Sequence, residues 1–260
     1  MISKAQIQFI RSLEHKKFRD EYGCFVAEGD KLVREAIAQS GVSLFRIKMI
    51  CGTANWIDSL KPLKDHPNVE VITVTESELE RISLQKTPNQ ALAIISHEPA
   101  QATVFNFDKD LLLGLNQVQD PGNVGTIIRL ADWFGFAGVI ASPDSADFFS
   151  PKVVQSSMGS IFRVKLLTVE ISEFIKAIKS KFPIYGTHLQ GQNLYQTKLT
   201  KNGLILLGNE SRGLSTELMK LTTVNLLIPD YSVGQSKPES LNVSIAASII
   251  CSEFRRRENG

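Results

Sequence analysis

From Leu111 onward the chain alternates short, wholly apolar runs with stretches of helical period, and this alternation narrows the possible folds more than any other feature. The apolar runs are Leu111–Leu115, Gly138–Ala141, Phe162–Leu167, Ile184–Thr187, Leu204–Leu207 and Val224–Ile228. Helical periods lie near Val124–Phe134, Ser172–Lys181 and Ser215–Leu221, and the chain closes on Leu241–Arg257. Strands buried on both faces read as unbroken apolar runs, and helices between them make crossovers, so the pattern predicts an α/β fold with a parallel sheet. Ligands of such sheets bind beyond the carboxyl ends of the strands. Polar, glycine-rich segments should therefore follow the apolar runs, and three do.

The first is Asn116-Gln117-Val118-Gln119-Asp120-Pro121-Gly122-Asn123-Val124-Gly125, which leads into a helix bearing Arg129. Val124, Ile127, Ile128, Ala131 and Phe134 fall on one helical face, so Arg129 projects from the other, toward solvent or a partner subunit. Asn123 stands at the helix entrance, where it suits either an N-cap or a substrate contact. The second segment is Leu207-Gly208-Asn209-Glu210-Ser211-Arg212-Gly213. Its glycines would let a ligand approach bare backbone, whereas Glu210 would repel a phosphate and suit a ligand of cationic character. It also suits the first turn of a plain strand-to-helix connection. Neither GxxxxGK[ST] nor GxGxxG occurs, which excludes a phosphate loop and a dinucleotide oxidoreductase. The third segment is Ile228-Pro229-Asp230 followed, after a polar stretch, by Ser240-Leu241-Asn242-Val243-Ser244. Here the sequence predicts a helix capped by Ser240 and buried all round.

The region before Leu111 reads differently. A helix is predicted over Lys4–Phe18 with Phe9, Ile10 and Leu13 as its apolar stripe, and another over Asp30–Ser40. Apolar runs at Leu44–Ile50, Val69–Val74 and Ala91–Ile95, with a helix near Ser77–Ile82, complete a small mixed α/β unit. A polar, proline-bearing stretch around His97–Thr103 marks a boundary. The expected organisation is a first domain over 1–97, a linker over 98–109 and a second domain over 110–260.

Charge leaves the partner open: 29 Lys and Arg against 27 Asp and Glu give a net charge of only +2. Local clusters are the candidate polyanion contacts, namely Lys16, Lys17 and Arg19, and the terminal Arg255-Arg256-Arg257. The latter equally suits a helix C-terminus. Cys24, Cys51 and Cys251 form no CxxC pattern, and His15, His66, His97 and His188 are scattered, so neither a disulfide framework nor a metal site is expected. No signal-like or membrane-spanning apolar segment is present, which points to the cytoplasm.

Taken in order, Asp120-Pro-Gly-Asn-Val-Gly…Arg129, Gly208-Asn-Glu…Gly213 and Ile228-Pro…Ser240-Leu-Asn-Val-Ser resemble the three signature motifs of the SpoU (TrmH-type) family of the SPOUT methyltransferase superfamily. The likeness spans roughly Leu111 to Glu253. Phe25-Val26-Ala27-Glu28-Gly29 and Thr87-Pro88-Asn89-Gln90 resemble that family's N-terminal substrate-binding domain, itself similar to ribosomal proteins that bind kink-turn RNA.

The resemblance implies a deep C-terminal trefoil knot and a homodimer with its active site at the subunit boundary. It further implies transfer of a methyl group from S-adenosylmethionine to a ribose 2′-hydroxyl of ribosomal or transfer RNA. Leu207, Gly208, Asn209, Gly213, Ile228 and Leu241 would hold the cofactor, largely through backbone groups. Arg129, Asn123, Glu210, Asn242 and Ser240 would form the catalytic set. The family position of Arg129 is often described as the base. A guanidinium, however, holds its proton to above pH ~12, so clamping a phosphate and stabilising the oxyanion suits it better. Asn123 would orient the hydroxyl, and Glu210 would brace the arginine or the loops. The chain departs from the family at Asp230 and in the long Tyr231–Glu239 stretch with Pro238, beside the expected cofactor pocket. The alternative reading is a non-catalytic RNA-binding or assembly factor that retains the fold.

Overall fold

A computed structural model describes residues 2–40, 44–60, 69–98, 101–178, 182–232 and 239–257. Two compact units emerge, one from Met1–Pro99 with Asp147–Arg163, the other from Ala100–Ala146 with Val164–Gly260. Residues 147–163, expected within the second domain, thus belong to the first unit, for reasons of packing given below.

The first unit opens with two helices where one was expected. The first, α1 (Lys4–Ser12), starts in a capping box between Ser3 and Gln6. It ends at Leu13, and a new helix, α2 (Lys16–Tyr22), starts after the extended His15. Arg19 explains the break. Its guanidinium turns inward and donates to the carbonyls of Leu13 (2.8 Å) and Glu14 (2.7 Å), satisfying acceptors that a broken helix leaves orphaned. A four-stranded sheet follows in the order β1 (Cys24–Glu28), β4 (Ala91–His97), β2 (Phe45–Gly52), β3 (Glu70–Thr73). Only β2 and β3 are parallel. Three helices complete the fold, α3 (Asp30–Gln39), α4 (Ala54–Asp58) and α5 (Glu76–Ile82). Neither β1 as a strand nor the single-turn α4 was expected from periodicity.

Successive residues of a strand face opposite sides, and β1 uses both. Cys24 and Val26 join Ile10, Leu13, Ile82, Leu92 and Ile94 in the core under the helices. Phe25 faces the other way and stacks with Phe149 (4.9 Å between centroids) and Phe162 (6.3 Å). His97 stacks on Phe149 at 3.9 Å, and burial pushes its imidazole below the usual histidine value. These rings carry residues 147–163, including α7 (Pro151–Ser156), into the first unit. Asp147 adds an ion pair with Arg19 at 2.6 Å, and Glu35 adds another with Arg163.

The second unit holds the expected all-parallel sheet. Its six strands run β10 (Val224–Leu227), β8 (Ile184–Asn193), β9 (Gly203–Leu207), β5 (Leu111–Leu115), β6 (Gly138–Ala141), β7 (Lys165–Thr168). The residues of β5, β6 and β9 are all buried, as continuous apolar runs require. The helices are α6 (Pro121–Trp133), α8 (Ile171–Ala177), α9 (Thr216–Leu221) and α10 (Val243–Arg256).

Two boundaries differ from expectation. Ser160–Phe162 forms a 3-10 turn, because Phe162 is claimed by the ring cluster of the first unit, and β7 starts only at Lys165. Strand β8 runs past Thr187 to Asn193 through an irregularity in its pairing with β10. A Cβ at Gly191 would meet the carbonyl oxygen of Asn225 at 2.7 Å, so glycine permits this approach.

Candidate active site

The segments after β5, β9 and β10 all lie in the second unit, and hydrogen bonds join them. After β5 the chain turns at Gln117, whose φ is +58°. Its amide donates to Ser142 Oγ (2.9 Å) and its carbonyl accepts from Asn209 Nδ2 (3.0 Å). Asp120 then caps α6 by accepting from the Asn123 amide at 2.8 Å, with Pro121 in the first turn. Asn123 is therefore not the cap considered for it. Inside the first turn, its side chain is free to reach sideways.

The loop after β9 closes tightly. Asn209 and Gly213 exchange backbone hydrogen bonds of 3.1 and 2.8 Å, and Asn209 Oδ1 accepts from the amides of Ser211 and Arg212. A Cβ on Gly208 would sit 2.3 Å from the Gly213 carbonyl carbon, a distance no side chain tolerates. Gly213 has φ +67° and open space where a Cβ would be, leaving bare backbone at the surface. The polar groups of Asn209 are engaged in holding these loops, a structural task that its spacing in the sequence did not reveal.

After β10, Ile228 and Pro229 are half-buried and Asp230 binds the amide and hydroxyl of Ser232. Residues 233–238, which include Pro238 of the long stretch, lie outside the described residues. Asn242, and not Ser240, caps α10, accepting from Ser244 N (2.9 Å), Ser244 Oγ (2.7 Å) and Ile245 N (3.4 Å). Ser240 is exposed, two residues ahead of the cap. The helix is not buried all round either. Val243, Ala247, Ile250, Cys251 and Phe254 face inward, whereas Ile245 is 53% exposed, because α6 and the sheet cover only one side.

Two side-chain bonds bring the three segments together. Asn242 Nδ2 donates to Asn123 Oδ1 at 3.1 Å, and Asn123 Nδ2 donates to Glu210 Oε1 at 3.1 Å. The capping duty of Asn242 Oδ1 decides the rest: only its NH2 can face Asn123, so only the NH2 of Asn123 can face the carboxylate. Arg129 lies further along α6, exposed, and its side chain makes no hydrogen bond among the described residues. A carboxylate, two oriented amides and bare glycine backbone thus occupy the carboxyl end of a parallel sheet, and none of these bonds reaches Arg129. The tight, glycine-edged loop beside Glu210 fits a cationic ligand held through peptide groups.

The SpoU rRNA methylase family model matches residues 110–252, more than half of the chain. The chain belongs to that family. An MRM3-like substrate-binding domain model matches residues 4–93, within the first unit. The 23S rRNA (guanosine(2553)-2′-O)-methyltransferase of Bacillus subtilis is 31% identical over 247 residues, covering 94% of each protein. A TrmH-family structure from Porphyromonas gingivalis superposes with a TM-score of 0.85 at 40% identity, covering 99% of both chains. An AdoMet-bound rRNA methyltransferase from Sinorhizobium meliloti gives 0.87 at 29% identity, covering 99% of this chain and 97% of that one.

Of the basic residues expected at a SpoU-type RNA surface, Lys16 and Lys17 are exposed at the start of α2. Arg19 is not available: it is 4% exposed and bound to Asp147 and two carbonyls. The terminal arginines are also occupied. Arg255 donates to the Phe134 and Gly135 carbonyls that end α6, Arg256 pairs with Glu253, and Arg257 binds Glu253 and the carbonyls of Leu194, Tyr195 and Thr197. Among the described residues no helix is long and apolar enough to cross a membrane, and no group of His, Cys, Asp or Glu could hold a metal ion.

Proposed function

We propose that this chain transfers a methyl group from S-adenosylmethionine to a ribose 2′-hydroxyl of ribosomal or transfer RNA. The observation that carries the reading is the bonded set Asn242–Asn123–Glu210, which joins all three family motifs at the carboxyl end of the sheet. The cofactor supplies an electrophilic methyl carbon on a sulfonium. Leu207, Gly208, Gly213, Ile228 and Leu241 would hold it through peptide groups and apolar contact, with Asn209 keeping the loop closed. Arg129 would clamp a phosphate next to the reacting ribose and stabilise developing charge on its oxygen. Asn123, with one hydrogen and one lone pair still unused, would orient the hydroxyl, and Ser240 and Asn242 would contact substrate or cofactor. Lys16 and Lys17 would bind RNA backbone in the first unit.

The protein would act in the cytoplasm as a homodimer whose active site lies at the subunit boundary, with the trefoil knot of its family gathering the three loops. Trp133 on α6 is 84% exposed, and Leu241 and Ile245 at the start of α10 are 48% and 53% exposed. Apolar groups so displayed call for a covering surface, and Arg129 projects from the same helix as Trp133. Light scattering reports the mass; a monomer at micromolar concentration removes the dimer. The activity is tested by tritium transfer from labelled S-adenosylmethionine to total RNA, followed by mapping of 2′-O-methyl sites. Binding of RNA without cofactor binding or transfer would favour the alternative, a non-catalytic assembly factor.

A further inference from the structure

We infer that Glu210 is the general base, and that the proton leaving the ribose 2′-hydroxyl passes to its Oε2. The inference rests on the methyl-transfer reading above. A neutral hydroxyl attacks poorly, so a group in the site must accept its proton as the new bond forms. Most of the polar side chains at the three loops are unfit. Arg129 is a cation without a usable lone pair, the amides of Asn123 and Asn242 do not take protons near neutrality, and the Ser240 hydroxyl is no better a base than the substrate.

Four carboxylates remain, of which Glu239 is exposed and its side chain is fixed by no hydrogen bond among the described residues. Asp120 is engaged at the head of α6, accepting from the Asn123 amide, and Asp230 holds Ser232 through two bonds. Glu210 is different. Its Oε1 takes the Asn123 amide, while its Oε2 has no hydrogen-bond partner among the described residues, and the side chain is half-buried. The two asparagines thus fix the carboxylate by one oxygen and leave the other open.

The step balances. The 2′-O–H bond breaks and its proton goes to Oε2, the 2′-oxygen bonds to the methyl carbon, and the carbon–sulfur bond breaks with its electron pair left on sulfur. One anion and one cation enter; two neutral groups result. Charge is cancelled inside the site, and no net charge is left buried.

Glu210→Gln separates proton acceptance from loop bracing, because the amide oxygen can still accept from Asn123 but cannot take a proton. Calorimetry should give an S-adenosylmethionine affinity within about tenfold of wild type, while the single-turnover rate falls by about 100-fold or more. Glu210→Ala gives a second measure: added formate should restore its rate at least about tenfold, as a small carboxylate replaces the missing one. A Glu210→Gln rate within about threefold of wild type overturns the inference, as does a Glu210→Ala rate that formate leaves unmoved. Wild-type protein that transfers no methyl to any RNA would instead sink the parent reading.

Discussion

Asn242 and Asn123 stand 119 positions apart in the chain, yet the amide of one donates to the amide oxygen of the other at 3.1 Å. Groups bonded in series act as a unit, so truncating either should disable both. Asn123→Ala and Asn242→Ala should each lower kcat/KM for methyl transfer by about tenfold or more, and the double variant should lose little beyond the worse single one. Asn242→Ala also uncaps α10, which should cost about 1 kcal/mol in a denaturant titration. Strictly additive kinetic losses would mean that the two amides act separately.

The basic residues of α2 divide into two kinds. Charge reversal at Lys16 and Lys17 should weaken RNA binding and make its salt dependence shallower by about 1.5 in log–log slope, the share of roughly two phosphates. Arg19→Ala should leave that slope alone but destabilise the first unit by about 3 kcal/mol, since Asp147 would keep a largely buried charge without its partner. Filter binding across a salt series and chemical denaturation read the two effects independently.

Glu253 gives a signature in acid. Hydrogen bonds from Arg256, and then from Arg257, hold its carboxyl down to about 2 from an ordinary 4.5. A depressed acidic group contributes stability that is fully present above its unfolded value and is lost as pH falls toward its folded one. Melting temperature should therefore drop between pH 4.5 and about 2, and Glu253→Gln should flatten that part of the curve. Calorimetric melting across the range would show it.

The thiols should stay silent in the native protein. Burial pushes Cys51 and Cys251 up to about 12, and raises Cys24 as well. Because the thiolate is the reactive form, a disulfide reagent at pH 8 should label all three only as fast as the protein unfolds. Rapid labelling of the native state at any one of them would show that its burial is transient.

Much of this fold was legible where one local rule governs. The buried strands of the second unit, the inward face of α6 and the glycines at strand ends each follow from sequence spacing. The ordered motifs carried the family. Errors arose where a distant residue overrides a local pattern. Nothing near Lys4–Phe18 announces that Arg19 will turn inward to meet Asp147. Phe162 reads as the start of a strand until Phe25 supplies its true neighbour. Ser240 and Asn242 are both good caps, and only a partner in another segment selects between them. Ile245 reads as core because sequence counts apolar residues and not the surfaces available to cover them.

The return of residues 147–163 to the first unit bears on how the protein is made. During vectorial synthesis, Arg19 waits for Asp147 and Phe25 for Phe149 and Phe162, while the strands β5 and β6 have already left the ribosome. The N-terminal unit cannot mature before the middle of the polypeptide emerges, so it should not transplant as a contiguous cassette ending at Pro99. A fragment stopping there would expose the flank of β1 as a sticky aromatic surface, a matter for chaperones before it is one for catalysis.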